Sequence, residues 1–251
     1  MSDPEFLDTR AERRLAYHRT PGEDPGVVFL GGFRSDMEGT KALHLEAWAR
    51  AAGRTFLRFD YSGHGQSSGA FEEGCIGDWA GDAAEAVERL TEGPQILVGS
   101  SMGGWIALLL ARDRPARVAG LVGIAAAPDF TEALIWPGLS DEERARLMAE
   151  GRLERPSAYS DAPEVLTRRL FEDGRAQGVL DRPLSLSCPV RLLQGSADAD
   201  VPVRHALALL DHAEGPELSL TIVKGADHRF STPDCLRRIT DAIDEVTARA
   251  G

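Results

Sequence analysis

Lysine is almost missing from this sequence: of 28 basic residues only Lys41 and Lys224 are lysine, against 40 acids and a net charge of −12. A field of that sign does not steer a protein to DNA, RNA or an anionic lipid surface. The arginine bias is read as codon composition, and no function is drawn from it. Cysteine is scarce too. Cys75, Cys188 and Cys235 lie far apart and form no C-x-x-C pair, which argues against a disulfide framework or a cysteine zinc site and leaves three reduced thiols. Long apolar runs are missing: the longest, residues 105–111, is far too short to cross a bilayer. Met-Ser-Asp-Pro-Glu-Phe at the start has neither a basic n-region nor an apolar h-region, so no secretory signal and a cytoplasmic location are expected. What remains, 251 residues with 43% hydrophobic and 27% charged, is an ordinary globular balance with enough length for a full core.

Strand-length apolar runs alternate with helix-period stretches. Val27-Val28-Phe29-Leu30 stops at Gly31-Gly32, and Leu45, Trp48, Ala49 and Ala52 then recur at helical spacing before Gly53. Residues 55–59, 95–98, 118–124, 190–193 and 218–223 read as further strands. Trp79, Ala83, Ala86, Val87 and Leu90 mark an amphipathic helix, and the nearly all-apolar stretch 105–112 a helix buried on most sides. Ser231-Thr232-Pro233 opens a last helix with Leu236, Ile239, Ile243 and Val246 on one face. Such alternation predicts a mostly parallel sheet with helices on both faces. Residues 6–19 read as two short strands, an antiparallel hairpin at one edge. From Asp129 to about Leu186 no convincing strand is found. Ser140-Asp-Glu-Glu143 is a capping box, and residues 164–171 look like a second helix. We therefore expect one domain over 1–251 with a small helical cap at about 129–186, above the C-terminal ends of the strands where open α/β sheets bind ligands.

Gly99-Ser100-Ser101-Met102-Gly103 falls between a strand and a helix. In that setting G-x-S-x-G is a nucleophile elbow: a tight turn with small flanks that exposes the serine at the strand tip, against a helix N-terminus that favours negative charge. The hydroxyl needs a base. Of His18, His44, His64, His205, His212 and His228, only His228 lies just past the last strand, on a loop able to reach the serine. His18 falls in the edge hairpin; His44, His205 and His212 fall in helices. The base needs an acid to fix its tautomer. Asp198 follows the strand 190–193 in Gln194-Gly-Ser-Ala-Asp198 and is preferred. Asp200 is the nearest rival, and Asp129, after the preceding strand, ranks lower. The order Ser101, Asp198, His228 is the one this fold uses. Oxyanion donors are expected at the N–H of Met102 and, from the loop Gly31-Gly32-Phe33-Arg34, at the N–H of Phe33. Arg34 is a candidate contact for a substrate carboxylate. Asp60-Tyr-Ser-Gly63-His64-Gly65-Gln66-Ser67 lacks the lysine of a phosphate loop and the spacing of a dinucleotide fingerprint. It reads as a structural turn with His64 as a loop residue.

Taken in order, the elbow, the D-Y-x-G-x-G-x-S turn, the G-x-x-D acid loop and the Asp-His before the last helix resemble the α/β-hydrolases. Phe33-Arg-Ser-Asp-Met-Glu-Gly-Thr-Lys41-Ala, Arg58-Phe-Asp-Tyr-Ser-Gly63, residues 93–105, Pro156-Ser-Ala-Tyr-Ser160, Cys188-Pro-Val-Arg-Leu-Leu193 and Asp227-His228-Arg229 resemble, more closely, the palmitoyl-protein thioesterase and mycophenolic acid acyl-glucuronide esterase family. The resemblance runs from about Phe29 to the C-terminus. It implies a serine hydrolase of acyl esters and thioesters with no cofactor and no metal, and its triad falls on Ser101, Asp198 and His228. Without an Arg-rich, acid-poor transit peptide, a bacterial cytoplasmic relative is expected. The expected partner is a small acyl ester or thioester, or an acylated protein, with no nucleic acid and no membrane insertion; oligomeric state is left open. Two alternatives use the same residues: an acyltransferase with an alcohol or thiol in place of water, and a catalytically silent binding protein on this fold.

Overall fold

The computed structural model describes residues 3–156 and 163–250. Ten strands and seven α-helices follow one another along it. They are β1 (Glu5–Asp8), β2 (Arg14–Thr20), β3 (Glu23–Leu30), α1 (Thr40–Ala51), β4 (Arg54–Phe59), α2 (Ile76–Leu90), β5 (Gln95–Ser100), α3 (Met102–Asp113), β6 (Val118–Ile124), α4 (Asp141–Glu150), β7 (Arg152–Arg155), β8 (Glu164–Thr167), α5 (Arg168–Ala176), β9 (Val190–Gly195), α6 (Val203–His212), β10 (Leu218–Val223) and α7 (Pro233–Arg249).

Eight strands form one sheet in the order β1-β2-β4-β3-β5-β6-β9-β10. From β4 to β10 every pairing is parallel, while β1–β2 and β2–β4 are antiparallel. The hairpin expected over 6–19 is present, but only β1 is an edge; β2 is held on both sides. The chain steps outward from β3 to β4 and then returns across β3 to β5. That reversal leaves the C-terminal ends of β3 and β5 side by side, a switch point of the kind where such sheets bind ligands. Leu30 pairs with Gly99 there, so the loop after β3 starts beside the turn after β5.

Both faces of the sheet are covered, which is why its central strands read as continuous apolar runs. Along β5, Leu97 joins a cluster with α2 and α3, while Ile96 and Val98 join one with α1 and α7. α3 is buried from Met102 to Ala111, as its all-round apolar sequence predicts. α7 starts where Thr232 accepts a hydrogen bond from the Cys235 N–H, with Pro233 in its first turn.

The insertion between β6 and β9 differs from the all-helical cap expected. α4 is there, with the Ser140–Glu143 capping box intact, but β7 and β8 pair as a two-stranded antiparallel sheet. The helix expected over 164–171 begins only at Arg168, where the Thr167 hydroxyl accepts from the Leu170 N–H. Leu153 and Leu166 lie opposite each other in this hairpin and are buried with Leu139, Leu147 and Phe171. A four-residue strand gains its stability from that small core rather than from its own periodicity. In Pro156-Ser-Ala-Tyr-Ser160, residues 157–160 lie outside the described residues.

Candidate active site

Ser101 sits at the tip of β5 with φ 54° and ψ −117°, a left-handed conformation that a side chain rarely adopts. Three backbone bonds hold it: its N–H donates to the Ile124 carbonyl at 2.9 Å, and its own carbonyl accepts from Gly104 at 2.9 Å and Ala127 at 3.1 Å. The flanking glycines are required by contact. A Cβ at Gly99 would lie 2.3 Å from the Gly103 oxygen, and one at Gly103 would lie 2.0 Å from the Leu30 oxygen.

The structure brings the three residues singled out in the sequence into one chain of hydrogen bonds. Ser101 Oγ is 3.1 Å from His228 Nε2, and His228 Nδ1 is 2.9 Å from Asp198 Oδ2. The Asp198 side chain is fully buried, whereas that of His228 is 23% exposed, so the imidazole reaches the cavity and the acid does not. Burial alone would raise the Asp198 pKa. The bonds from His228, the Val201 N–H and Gln194 outweigh it and hold the carboxyl below its usual value. Gln194 Nε2 donates to Asp198 Oδ2 at 3.0 Å and to the Val201 carbonyl at 2.8 Å. Sequence reasoning missed this residue; its one signal was a polar side chain at the C-terminal end of a buried strand, just before Gly195.

The rival acids have other work. The Asp200 N–H donates to Asp198 Oδ1 at 3.0 Å, so this loop residue helps to fix the preferred acid. Asp129 accepts from the Val179 and Leu180 N–H groups, each at 2.9 Å, and ties the strand end to the last part of the insertion. Asp129→Asn is therefore expected to cost about 1–3 kcal/mol of stability, because an amide cannot accept both bonds so well. Turnover per folded molecule should stay within a few-fold of the wild type, as measured by denaturant midpoint and initial rate. Asp198, Asp200 and His228 also offer ligand atoms within 4.8 Å of one another. A cation there would have to displace the Asp198–His228 hydrogen bond.

The loop after β3 passes directly beside the serine. A Cβ on Gly32 would lie 3.5 Å from Ser101 Cβ, which brings Phe33 next to it. Met102 opens α3, where amides have no partner within the helix. The loop is braced from below by His64, which is buried, with Nδ1 3.2 Å from the Ser62 carbonyl and Nε2 3.3 Å from the Arg34 N–H. Nε2 can accept that N–H only from a neutral ring. Burial, opposed by the bond to Ser62 and helped by nearby Arg34, pushes the His64 pKa down to about 4. The turn that carries His64 is built on Asp60, which accepts from the Met37 and Gln66 N–H groups at 2.7 and 2.8 Å. Its reading as a structural turn holds, but His64 does more than fill the loop.

Arg34 has φ 59°. Its guanidinium donates to the Val165 carbonyl of β8 at 3.0 Å and lies 4.6 Å from the Phe71 ring centre, which joins this loop to the insertion. On the opposite wall Lys41 donates to the carbonyl of Arg229, the residue after His228; burial lowers its pKa to about 8. Ser101 and His228 open into a cavity of about 1500 Å³ lined in part by Phe33, Phe71, Phe130, Leu134, Ile135 and Val165. Of the apolar residues in the insertion, Phe130, Leu134 and Ile135 face this space, while Leu139, Leu147, Leu153, Leu166 and Phe171 form the insertion's own core.

The model of the alpha/beta hydrolase family matches residues 27–240, which take in the strand tips, the insertion and all three bonded residues. The chain belongs to the alpha/beta hydrolase family. This hydrolase is 35% identical over 242 residues to the mitochondrial palmitoyl-protein thioesterase ABHD10 of Bos taurus, a match covering 96% of this chain and 79% of that one. Its fold matches that of mouse alpha/beta hydrolase domain-containing protein 10 with a TM-score of 0.91 at 33% identity, covering both chains completely. A crystal structure from Agrobacterium vitis S4, of a protein assigned as a hydrolase, also gives 0.91, at 44% identity over 97% of this hydrolase and 98% of that protein.

Proposed function

We propose that this hydrolase cleaves carboxylic esters and acyl thioesters through an acyl-enzyme on Ser101. The observation that carries the reading is the chain of bonds from Ser101 Oγ through His228 to buried Asp198, 3.1 and 2.9 Å long. Ser101 attacks the acyl carbonyl as His228 Nε2 takes its proton. Asp198 stabilises the imidazolium that results. The N–H groups of Phe33 and Met102 receive the oxyanion, and His228 then protonates the departing alcohol or thiol. Water, activated by the same imidazole, releases the acid. Arg34 has one arm of its guanidinium on Val165, and the rest of that fork would meet a carboxylate on the substrate. The thioesterase named among the relatives supports thioesters as one substrate class.

The cavity wall favours an apolar acyl group. Each methylene that fits is worth about 0.8 kcal/mol, up to about fourfold in kcat/KM. Across acetyl, butyryl, octanoyl and palmitoyl thioesters, efficiency is expected to rise from acetyl into the medium-chain range. A profile that peaks at acetyl and falls steadily would overturn the apolar acyl site while leaving the triad standing. A fluorophosphonate probe should label the protein stoichiometrically; a protein that takes no label is the silent binder. Free acid as the product with an alcohol acceptor present separates the hydrolase from an acyltransferase.

A further inference from the structure

The two edges of the large sheet are unlike. β1 is four residues long and has Glu5 and Asp8 at its ends, the shortness and charge that keep a further strand away. β10, Leu218-Ser-Leu-Thr-Ile-Val223, carries no charge and no proline, and none of its residues is buried. Its inner side pairs with β9 from Leu218 to Val223. Its outer side meets no strand among the described residues. Ile222 is 45% exposed and Leu207, on the α6 helix that packs against β10, is 47% exposed; only Phe6 joins them as a large exposed apolar side chain among the described residues.

We propose that two copies of this chain associate through β10, paired antiparallel about a two-fold axis into one continuous sheet. Five of the six residues of the strand, Leu218–Ile222, are their own complement in that arrangement, and Val223 falls opposite Glu217 of the second copy. With the axis at Leu220, each Leu220 faces its counterpart, Leu218 faces Ile222 of the second copy, and Ser219 faces Thr221 of the second copy. Apolar pairs then fall on one face and hydroxyl pairs on the other, the matches that stabilise neighbouring strands. The charges beyond the strand choose the same direction. At its start Glu214, Glu217 and Glu245 outnumber Arg191 and Arg249, which Glu217 and Glu245 hold. At its end stands Lys224, which makes no ion pair among the described residues. Antiparallel pairing brings the acidic end of each copy to the Lys224 of the other; parallel pairing would set like against like. A chain of net charge −12 repels its copies, and this strand adds no charge of its own to that repulsion. The partner is thus a second copy rather than a foreign strand. No residue lining the active-site cavity comes from α6 or β10, so the contact leaves the cavity open.

Sedimentation or light scattering from micromolar to near-millimolar protein should show the mass rising to twice that of the monomer. Thr221→Arg and Ile222→Lys, both at exposed positions, should remain monomeric over that range with unchanged unfolding midpoint and turnover. Residues facing each other at a two-fold have Cα atoms about 4.5–5.5 Å apart, within disulfide reach. Leu220→Cys should therefore cross-link two chains under mild oxidation; Cys75, Cys188 and Cys235 are buried and do not compete. A wild type that stays monomeric throughout overturns the proposal. So does a dimer that survives both charged substitutions, which would place the contact elsewhere.

Discussion

Ser101→Ala is expected to lower ester turnover by about 10⁴–10⁶-fold with the fold unchanged. The substitution removes one oxygen, whose recorded bond is to His228. The three bonds that hold the turn are made by the Ser101 backbone, and alanine suits a φ of 54° no worse than serine does. Unfolding midpoint and circular dichroism should therefore match the wild type. Ser100, one residue earlier and buried in β5, provides the control: Ser100→Ala should lose little. Equal losses from the two, or an active Ser101→Ala, would remove the nucleophile from this position.

The backbone shows why the site concentrates there. Among the described residues six that are not glycine have positive φ: Glu12, Arg34, Ser101, Ala125, Asp129 and Phe230. All but Glu12 follow a strand end that faces the cavity or the loop of His228. Such conformations cost of order 1–3 kcal/mol each, and the packed sheet beneath holds them. Strain of this kind aims Ser101 Oγ outward and turns the Phe33–Arg34 peptide toward His64.

How much of this was legible in the sequence depends on how local each signal is. The elbow was readable because two glycines and a serine at fixed spacing follow a strand and precede a helix. Asp198 and His228 were readable because each follows a strand by a few residues, and on a parallel sheet all such loops gather at one end. β7 and β8 were not. Arg152–Arg155 and Glu164–Thr167 are four residues each, too short for a period of two to be told from a turn of helix. Leu153 and Leu166 reveal their role only when paired. The same holds for Gln194, Asp129 and His64, each a polar side chain whose partner comes from packing rather than from a motif. His64 and Arg34 are 30 residues apart, and Asp129 and Val179 are 50 apart. No spacing rule reaches that far.

Asp198→Asn is expected to cut turnover by a factor of about 10⁴ with little change in KM, and the geometry gives the reason. Asp198 Oδ1 accepts from the Asp200 N–H at 3.0 Å and the Val201 N–H at 2.8 Å. Two backbone donors fix the oxygen of the new amide in that position, so its NH₂ must replace Oδ2, opposite His228 Nδ1. An NH₂ group there donates, which forces Nδ1 to become an acceptor and moves the ring proton to Nε2. The imidazole then presents a proton to Ser101 instead of a lone pair, and no base faces the hydroxyl. Gln194 opposes the change further, because its Nε2 now donates to Oδ2 and would meet a second donor. Its Oε1 is buried without a partner. Turning the Gln194 amide over would offer Oε1 to the new NH₂ and lock in the wrong tautomer, at the cost of the bond that Nε2 donates to the Val201 carbonyl. Turnover should fall while the unfolding midpoint moves by only a few degrees, and the proton resonance of the Nδ1–H should disappear from the NMR spectrum. Asp200→Asn keeps its backbone N–H bond to Oδ1 and should be mild. An Asp198→Asn enzyme within tenfold of the wild type, beside an inactive Asp200→Asn or Asp129→Asn, would move the acid to another strand end.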